Sequence, residues 1–187
     1  QYSIPVKAKV ALLDTLYGGV TPVRKGGGTQ SRSLRLKNNE GKQYVMRAVR
    51  KNETQYIQAA FFKNKYVEES FKNTQSSALI LDVFTGAHPY APLTIPTLSD
   101  AIGVYHTNPQ LLYVPKQKTL NNFNNEFGDE LYLIEEHGSD GHFNLAGEHF
   151  TGKIISTEDM LREISSDEDV MVDEASYIKA RLFDMLI

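Results

Sequence analysis

The sequence contains no cysteine, which excludes disulfides and thiolate chemistry and says little about the cellular compartment. No apolar run approaches the about 20 residues that a membrane-crossing helix needs, so no transmembrane helix is expected. The opening QYSIPVKAKV lacks the apolar stretch of a signal peptide, and any targeting peptide is therefore expected to lie outside this sequence. There is no Gly-x-Ser-x-Gly, no His-Glu-x-x-His and no plausible nucleophile with a local base, so the common hydrolase signatures are missing. Internal repeats are absent as well.

What is present has an ordinary globular balance. The 187 residues are 41% hydrophobic and 23% charged, which excludes a collagen-like or wholly disordered chain. At roughly 150 residues per domain, the length suggests one compact domain, or one domain with a large insertion; the end of the sequence inside a helical pattern, with no stop signal, makes a domain fragment the alternative. The net charge of -3 conceals a division. Residues 1–72 hold 14 Lys/Arg against 5 Asp/Glu, or +9, and residues 73–187 hold 6 against 18, or -12. The basic head is where an anion site is expected.

Periodicity sets out the elements. Val6 to Tyr17 has no clear period, and Gly18, Gly19 and Pro22 read as breaks. Ser33-Leu34-Arg35-Leu36-Lys37 alternates, Asn38-Asn39-Glu40-Gly41 is turn chemistry, and Tyr44 to Val49 supplies a second strand. Residues 33–49 therefore read as a β-hairpin. Helical patterns follow over Thr54–Lys72 and Ser77–Thr85, with Gly86 as the stop. His88 to Pro96 reads as extended because residues before proline avoid the helical region. Ile102–Tyr105 and Leu111–Val114 read as strands, Asn121–Asn125 as a polar loop, and Leu131–Ile134 as a central strand. Residues 137–152 read as a long loop. Ser156 caps a short helix through Ile164, and a last helix starts near Asp173. Residues 1–115 thus carry the glycine-rich turn, hairpin, helices and strands, and 116–187 the central strand, long loop and C-terminal helices.

Three groups of residues could carry chemistry. Gly26, Gly27 and Gly28 lead through Thr29, Gln30, Ser31 and Arg32 into the hairpin. Glycines let backbone N–H groups converge on phosphate oxygens; Ser31 adds a hydroxyl, and Arg24, Lys25 and Arg32 add charge. A strand follows, so this is not a Walker A loop. The alternative is a hairpin lead-in with solvated cations. Next, Arg47 stands at an alternating position among apolar residues and either faces solvent or meets an acid, for which Asp82 on the following helical segment is the natural partner. Last, His137, His142 and His149 with Asp140 and Glu148 match no metal-ligand spacing, so no metal is assigned. Glu135 and Glu136 are adjacent in a strand, point to opposite faces and cannot act on one atom. Tyr44, Tyr56, Phe61 and Phe62 lie among the cations of the head, but neither a basic total charge nor a stacking motif supports a nucleic-acid partner.

The order of elements resembles a protein-kinase-like amino-terminal lobe: glycine-rich turn, hairpin with a cation on its second strand, helix with an acid, then strands and a helix. The chain also resembles a family of large exported Bacteroidota proteins, in which a calcineurin-like metallophosphoesterase region and an outer-membrane surface-antigen β-barrel share one polypeptide. The resemblance is carried by residues 26–36, 44–49, Ala87–Ala91, Gly103–Pro109 and Ala180–Ile187. It implies a cell-envelope location, with other domains of the same polypeptide as partners. It implies that Gly26, Gly27 and Gly28 cover phosphates, that Arg47 stands where kinases place lysine, that Asp82 replaces the helix glutamate, and that Ile134–His137, with Glu135, form a hinge toward an adenine. A nucleotide is the cofactor so implied, and the residues alone name none. In such relatives a Gly-Asp-Trp-Asp-Arg-His stretch follows the last helix, so this sequence is expected to stop short of the catalytic loop.

Two departures set limits. Arginine in place of lysine turns a point charge into a planar fork. The Asp-Phe-Gly and Asn metal ligands of phosphoryl transfer are not in this sequence, nor are the His/Asp clusters of a metallophosphoesterase. The expected fold is α+β, a twisted antiparallel sheet with helices on one face, truncated at its C-terminal helix. The expected function is a non-catalytic kinase-like segment keeping part of a nucleotide or phosphate site. The competing expectation is an interaction or scaffold domain with no small-molecule ligand.

Overall fold

The computed structural model describes Tyr2 and residues 4–28, 30–62, 68–138 and 154–187. It is an α+β fold around one six-stranded sheet. The strands are β1 (Lys9–Val10), β2 (Val20–Lys25), β3 (Ser33–Asn38), β4 (Gln43–Ala48), β5 (Gln110–Val114) and β6 (Glu130–Glu136). The helices are α1 (Glu53–Phe61), α2 (Gln75–Thr85), α3 (Ile95–Ile102), α4 (Asn124–Phe127), α5 (Thr157–Ser166) and α6 (Glu174–Leu186). The sheet order is β1-β5-β6-β4-β3-β2.

The expected hairpin is β3–β4, with Leu34 opposite Met46 and Leu36 opposite Tyr44. Its turn is held by the Asn38 side chain, whose Oδ1 accepts from the backbone N–H groups of Glu40 (3.0 Å) and Lys42 (2.9 Å). β6 is central, between β4 and β5, as its apolar run suggests. Alternation places Leu34, Leu36, Tyr44, Met46, Ala48, Leu112, Val114, Tyr132 and Ile134 on one face, where they form the core with Leu13, Leu120 and Phe127. Tyr17 stacks on Tyr44 at its margin, with ring centroids 4.3 Å apart.

The sheet is mixed, not wholly antiparallel: β1 runs parallel to β5, with Lys9 opposite Leu112. The amino-terminal segment takes the free edge of β5 and then turns to β2 at the far edge. Between them it buries Leu13, whose N–H donates to Gln117 Oε1 at 2.7 Å. Phe127 of α4 closes the core face, and Leu81 and Thr85 of α2 line a groove with Tyr113 and Leu131.

Several elements differ from their sequence patterns for identifiable reasons. Pro22 lies inside β2, which tolerates proline because it is an edge strand with spare N–H positions. Residues 91–93 form a 3-10 turn and α3 follows, with Pro96 at its start. Proline suits the first helical turn, where no N–H is needed. Ile102 therefore ends a helix instead of opening a strand, and Gly103 caps it in the left-handed region at φ 67°. Lys118–Phe123 is a 3-10 segment leading into α4, where a polar loop was expected. The helix expected over 54–72 ends at Phe61 in α1, and Glu68–Phe71 is a separate 3-10 turn.

The α2, α5 and α6 patterns hold. Thr74 and Ser77 form a reciprocal capping box on α2, and Gly86 closes it. Ser156 accepts from Asp159 N–H at the start of α5, and Asp173 accepts from Ala175 and Ser176 N–H at the start of α6. The expected loop over 137–152 falls mostly outside the described residues, as do His142, His149, Asp140 and Glu148.

Candidate functional site

The glycine turn joins β2 to β3 and packs against the start of α1. Gly26 N–H donates to the Ser33 carbonyl at 2.8 Å. A Cβ at Gly26 would lie 2.1 Å from Ser33 Oγ, and one at Gly28 2.7 Å from the Ser31 carbonyl oxygen, whereas Gly27 faces open space. Glycine is thus required at 28 by close approach of the Ser31 backbone, and a Cβ at 26 would force the Ser33 side chain to move. Gln55 Nε2 donates to the Gly28 carbonyl (2.7 Å) and Asn52 N–H to the Gln30 carbonyl (2.8 Å). These bonds tie the turn to the first turn of α1. Ser31 is half-buried beside it.

Two of the cations flanking this turn, Lys25 and Arg32, are paired with carboxylates. Lys25 pairs with Glu126 of α4, and Arg32 pairs with Glu130 of β6 at 2.7 Å. Glu130 also accepts from the Tyr132 hydroxyl at 3.2 Å. Burial, then the Glu130 charge, pushes the Tyr132 phenol far above its ordinary range.

Arg47 faces solvent on β4. Its partner is not Asp82, which is exposed on α2, but Glu135 on the neighbouring strand, with Nε donating to Oε1 at 3.0 Å. Register explains the pairing: Val45 lies opposite Glu135, so Glu135 and Arg47 share a face and stand diagonally adjacent. Thr107 Oγ1 donates to the second Glu135 oxygen at 2.5 Å, and Asn108 N–H donates to Glu136 Oε2 at 3.0 Å. The two adjacent carboxylates therefore serve different donors. His137 extends the strand, its N–H donating to the Gln43 carbonyl at 2.9 Å, while Ile134 is buried in the core.

The sequence pattern does not single out Arg35. Arg24 on β2 lies opposite Arg35 on β3, Arg35 lies opposite Val45, and Arg47 follows two residues on along β4. Three guanidinium groups thus occupy one sheet face on three adjacent strands. Nε and Nη1 of Arg35 are closed off from solvent and have no hydrogen-bond acceptor. Burial, then the charges of Arg47 and Arg24, lower the Arg35 pKa against the opposing pull of Glu135. The available signal was the alternation of Ser33, Arg35 and Lys37 against Leu34 and Leu36, which puts Arg35 on the face of Arg47.

A second charged clasp joins α3 to the approach to β5. His106 Nε2 lies 2.9 Å from Asp100 Oδ1, and its Nδ1 2.9 Å from the Thr107 carbonyl. Among the described residues, no three His, Asp or Glu side chains gather as a metal site. Comparison with protein-family models, with curated proteins and with solved structures finds no match.

Proposed function

We propose that this chain is a kinase-like amino-lobe segment of a larger exported envelope protein, non-catalytic by itself, that retains half of a nucleotide or phosphate site. One observation carries the reading: the strand order β5-β6-β4-β3-β2. In it a meander (β2, β3, β4) with the glycine turn at its first connection is followed by helices, and β6 then returns beside β4. This places Arg47 next to Glu135, on the strand that continues into the hinge-like segment to His137. The lobe would close on its ligand together with other domains of the same polypeptide, and phosphoryl transfer would need metal and base residues that this segment does not contain.

Titration of ATP into the chain tests this, with Arg47→Ala as the control. Saturable binding that weakens at least roughly tenfold in the variant is expected, since a charge-assisted phosphate contact is lost. No binding to the parent chain removes the reading.

A second reading, an interaction or scaffold domain without a small ligand, is favoured by α6. There Met185 and Leu186 are 80% and 84% exposed, and Ile178 and Leu182 are exposed as well. On that reading ATP has no effect, and Leu182→Asp with Met185→Asp abolishes concentration-dependent association in sedimentation.

A further inference from the structure

We propose that Arg24, Arg35 and Arg47 form a binding site for a dianionic phosphoryl group on the sheet face opposite the Met46 core, with Arg35 at its centre. The inference deepens the phosphate-site reading above and rests on it for the class of ligand. It moves the anion from the glycine turn, whose cations Lys25 and Arg32 are engaged by Glu126 and Glu130.

The row is built by a β-bulge. Pro22 lies opposite Leu36, yet Arg24, not Val23, lies opposite Arg35. The extra residue Val23 re-aims β2, as bulges do beside functional positions. Without it, Val23 would face Arg35, and Arg24 would pair with the core residue Leu34. The bulge therefore creates a like-charge cross-strand pair, an arrangement that disfavours the isolated sheet.

The charges on this face do not balance. Among the described residues, Glu135 is the carboxylate that stands with the three arginines, and its two oxygens are taken by Arg47 Nε and Thr107 Oγ1. Two positive charges remain. Arg35 holds two enclosed donor nitrogens, Nε and Nη1, with no acceptor, although buried polar atoms are normally satisfied. Arg24 is exposed and makes no hydrogen bond or ion pair among the described residues, and Arg47 uses only Nε on Glu135. Both flanking side chains are thus positioned to turn onto an anion beside Arg35.

The same features define the ligand. Guanidinium forks on adjacent strands suit a group with several terminal oxygens and two charges, and phosphate fits this better than a carboxylate. The β2–β4 positions sharing this face, Ser33 and Gln43 among them, bring no aromatic ring on which a base could stack. The phosphoryl group, not a base, is therefore what the row recognises.

The test is calorimetric titration of the intact chain with inorganic pyrophosphate and, separately, ATP at low ionic strength. The variants are Arg35→Met, Arg24→Met and, as a control, Lys42→Met, a cation paired to Glu40 beside the hairpin turn. Pyrophosphate is expected to bind one to one. Arg35→Met should weaken it at least roughly tenfold and Arg24→Met severalfold, with Lys42→Met unchanged. Circular dichroism checks that the variants fold. Arg24 is exposed, so its variant decides the matter should Arg35→Met fail to fold. ATP binding that is lost in Arg47→Ala but untouched in both row variants overturns the row and leaves the lobe reading standing. Pyrophosphate binding that depends on Arg24 and Arg35 with no response to ATP supports the row and removes the nucleotide. No heat with either ligand removes both.

Discussion

Arg24 and Arg35 face each other across β2 and β3, because the bulge at Val23 moves Arg24 one position along its strand, and neither forms an ion pair among the described residues. Like charges directly opposite in a sheet repel, and here Arg47 stands diagonally beyond. The basic head of the sequence is therefore not one uniform patch. Lys25, Arg32 and, in part, Arg47 pair with carboxylates of the acidic remainder, whereas the Arg24–Arg35 pair does not.

Replacing Arg24 by threonine should stabilise the ligand-free chain. The substitution removes a like-charge neighbour and places a β-branched residue in an edge strand, with a gain of roughly 0.2–1 kcal/mol. Urea unfolding at low and high salt measures it. The gain should shrink as salt screens the repulsion, and an equal gain at both salt concentrations would mean that repulsion is not its source.

Gly26 and Gly27 are neighbours in sequence with opposite tolerance. A methyl group at Gly26 meets Ser33 Oγ at 2.1 Å, whereas one at Gly27 meets nothing within 4 Å. Gly26→Ala should cost about 1–3 kcal/mol, as overpacking does, and Gly27→Ala should be nearly neutral. Thermal melts of the two variants settle it; equal melting temperatures would contradict the close approach of the turn to β3.

Tyr132 is fully buried, and its single hydroxyl proton is shared between the Phe127 carbonyl at 3.0 Å and Glu130 Oε2 at 3.2 Å. Tyr132→Phe leaves that carbonyl without its donor and should cost about 1–3 kcal/mol. Denaturant unfolding measures the loss. Ionisation gives a second readout. Burial, then the charges of Glu136 and Tyr44, push the Tyr17 phenol up to about 12, while an unfolded tyrosine titrates near 10. The unfolded chain therefore loses its proton first. The stabilising contribution is complete below about pH 10 and is lost as pH rises from there toward 12. Phenolate absorbance should show Tyr17 and Tyr132 titrating above the ordinary phenol value near 10.

The β3–β4 hairpin was legible because alternation and turn chemistry are local: Leu34 and Leu36 pair with Met46 and Tyr44 through the Asn38 turn. The caps at Ser156 and Asp173 were legible for the same reason. Arg24 was not, because a bulge breaks the period of two at Val23 and leaves no local mark. The parallel β1–β5 pair joins Lys9 to Leu112, a contact that no window of sequence contains. Pro92 and Pro96 misled in α3's neighbourhood because proline both disfavours helix before it and suits a helix start. Of the candidate site, Arg47 on the solvent-facing side of its strand could be read from alternation, but its partner Glu135 depended on which strand β6 joined.

His106 supplies the pH dependence near neutrality. Burial alone would lower its pKa, but the hydrogen bonds to Asp100 and the Thr107 carbonyl, with the charges of Asp100 and Glu136, outweigh it and raise the pKa above the usual 6.5. A cation favoured in the folded state binds its proton more tightly there than in the unfolded chain. The resulting stability is fully present below pH 6.5 and is lost as pH rises through the folded pKa. Thr107, the next residue, donates to Glu135, so the clasp borders the acid that pairs with Arg47. NMR titration of the His106 imidazole should give a midpoint above 6.5 in the parent and a lower one in Asp100→Asn. That variant should also flatten the fall in stability between pH 6 and 8, the range in which an imidazole exchanges its proton. An unchanged midpoint in Asp100→Asn would show that Asp100 does not hold the proton on His106.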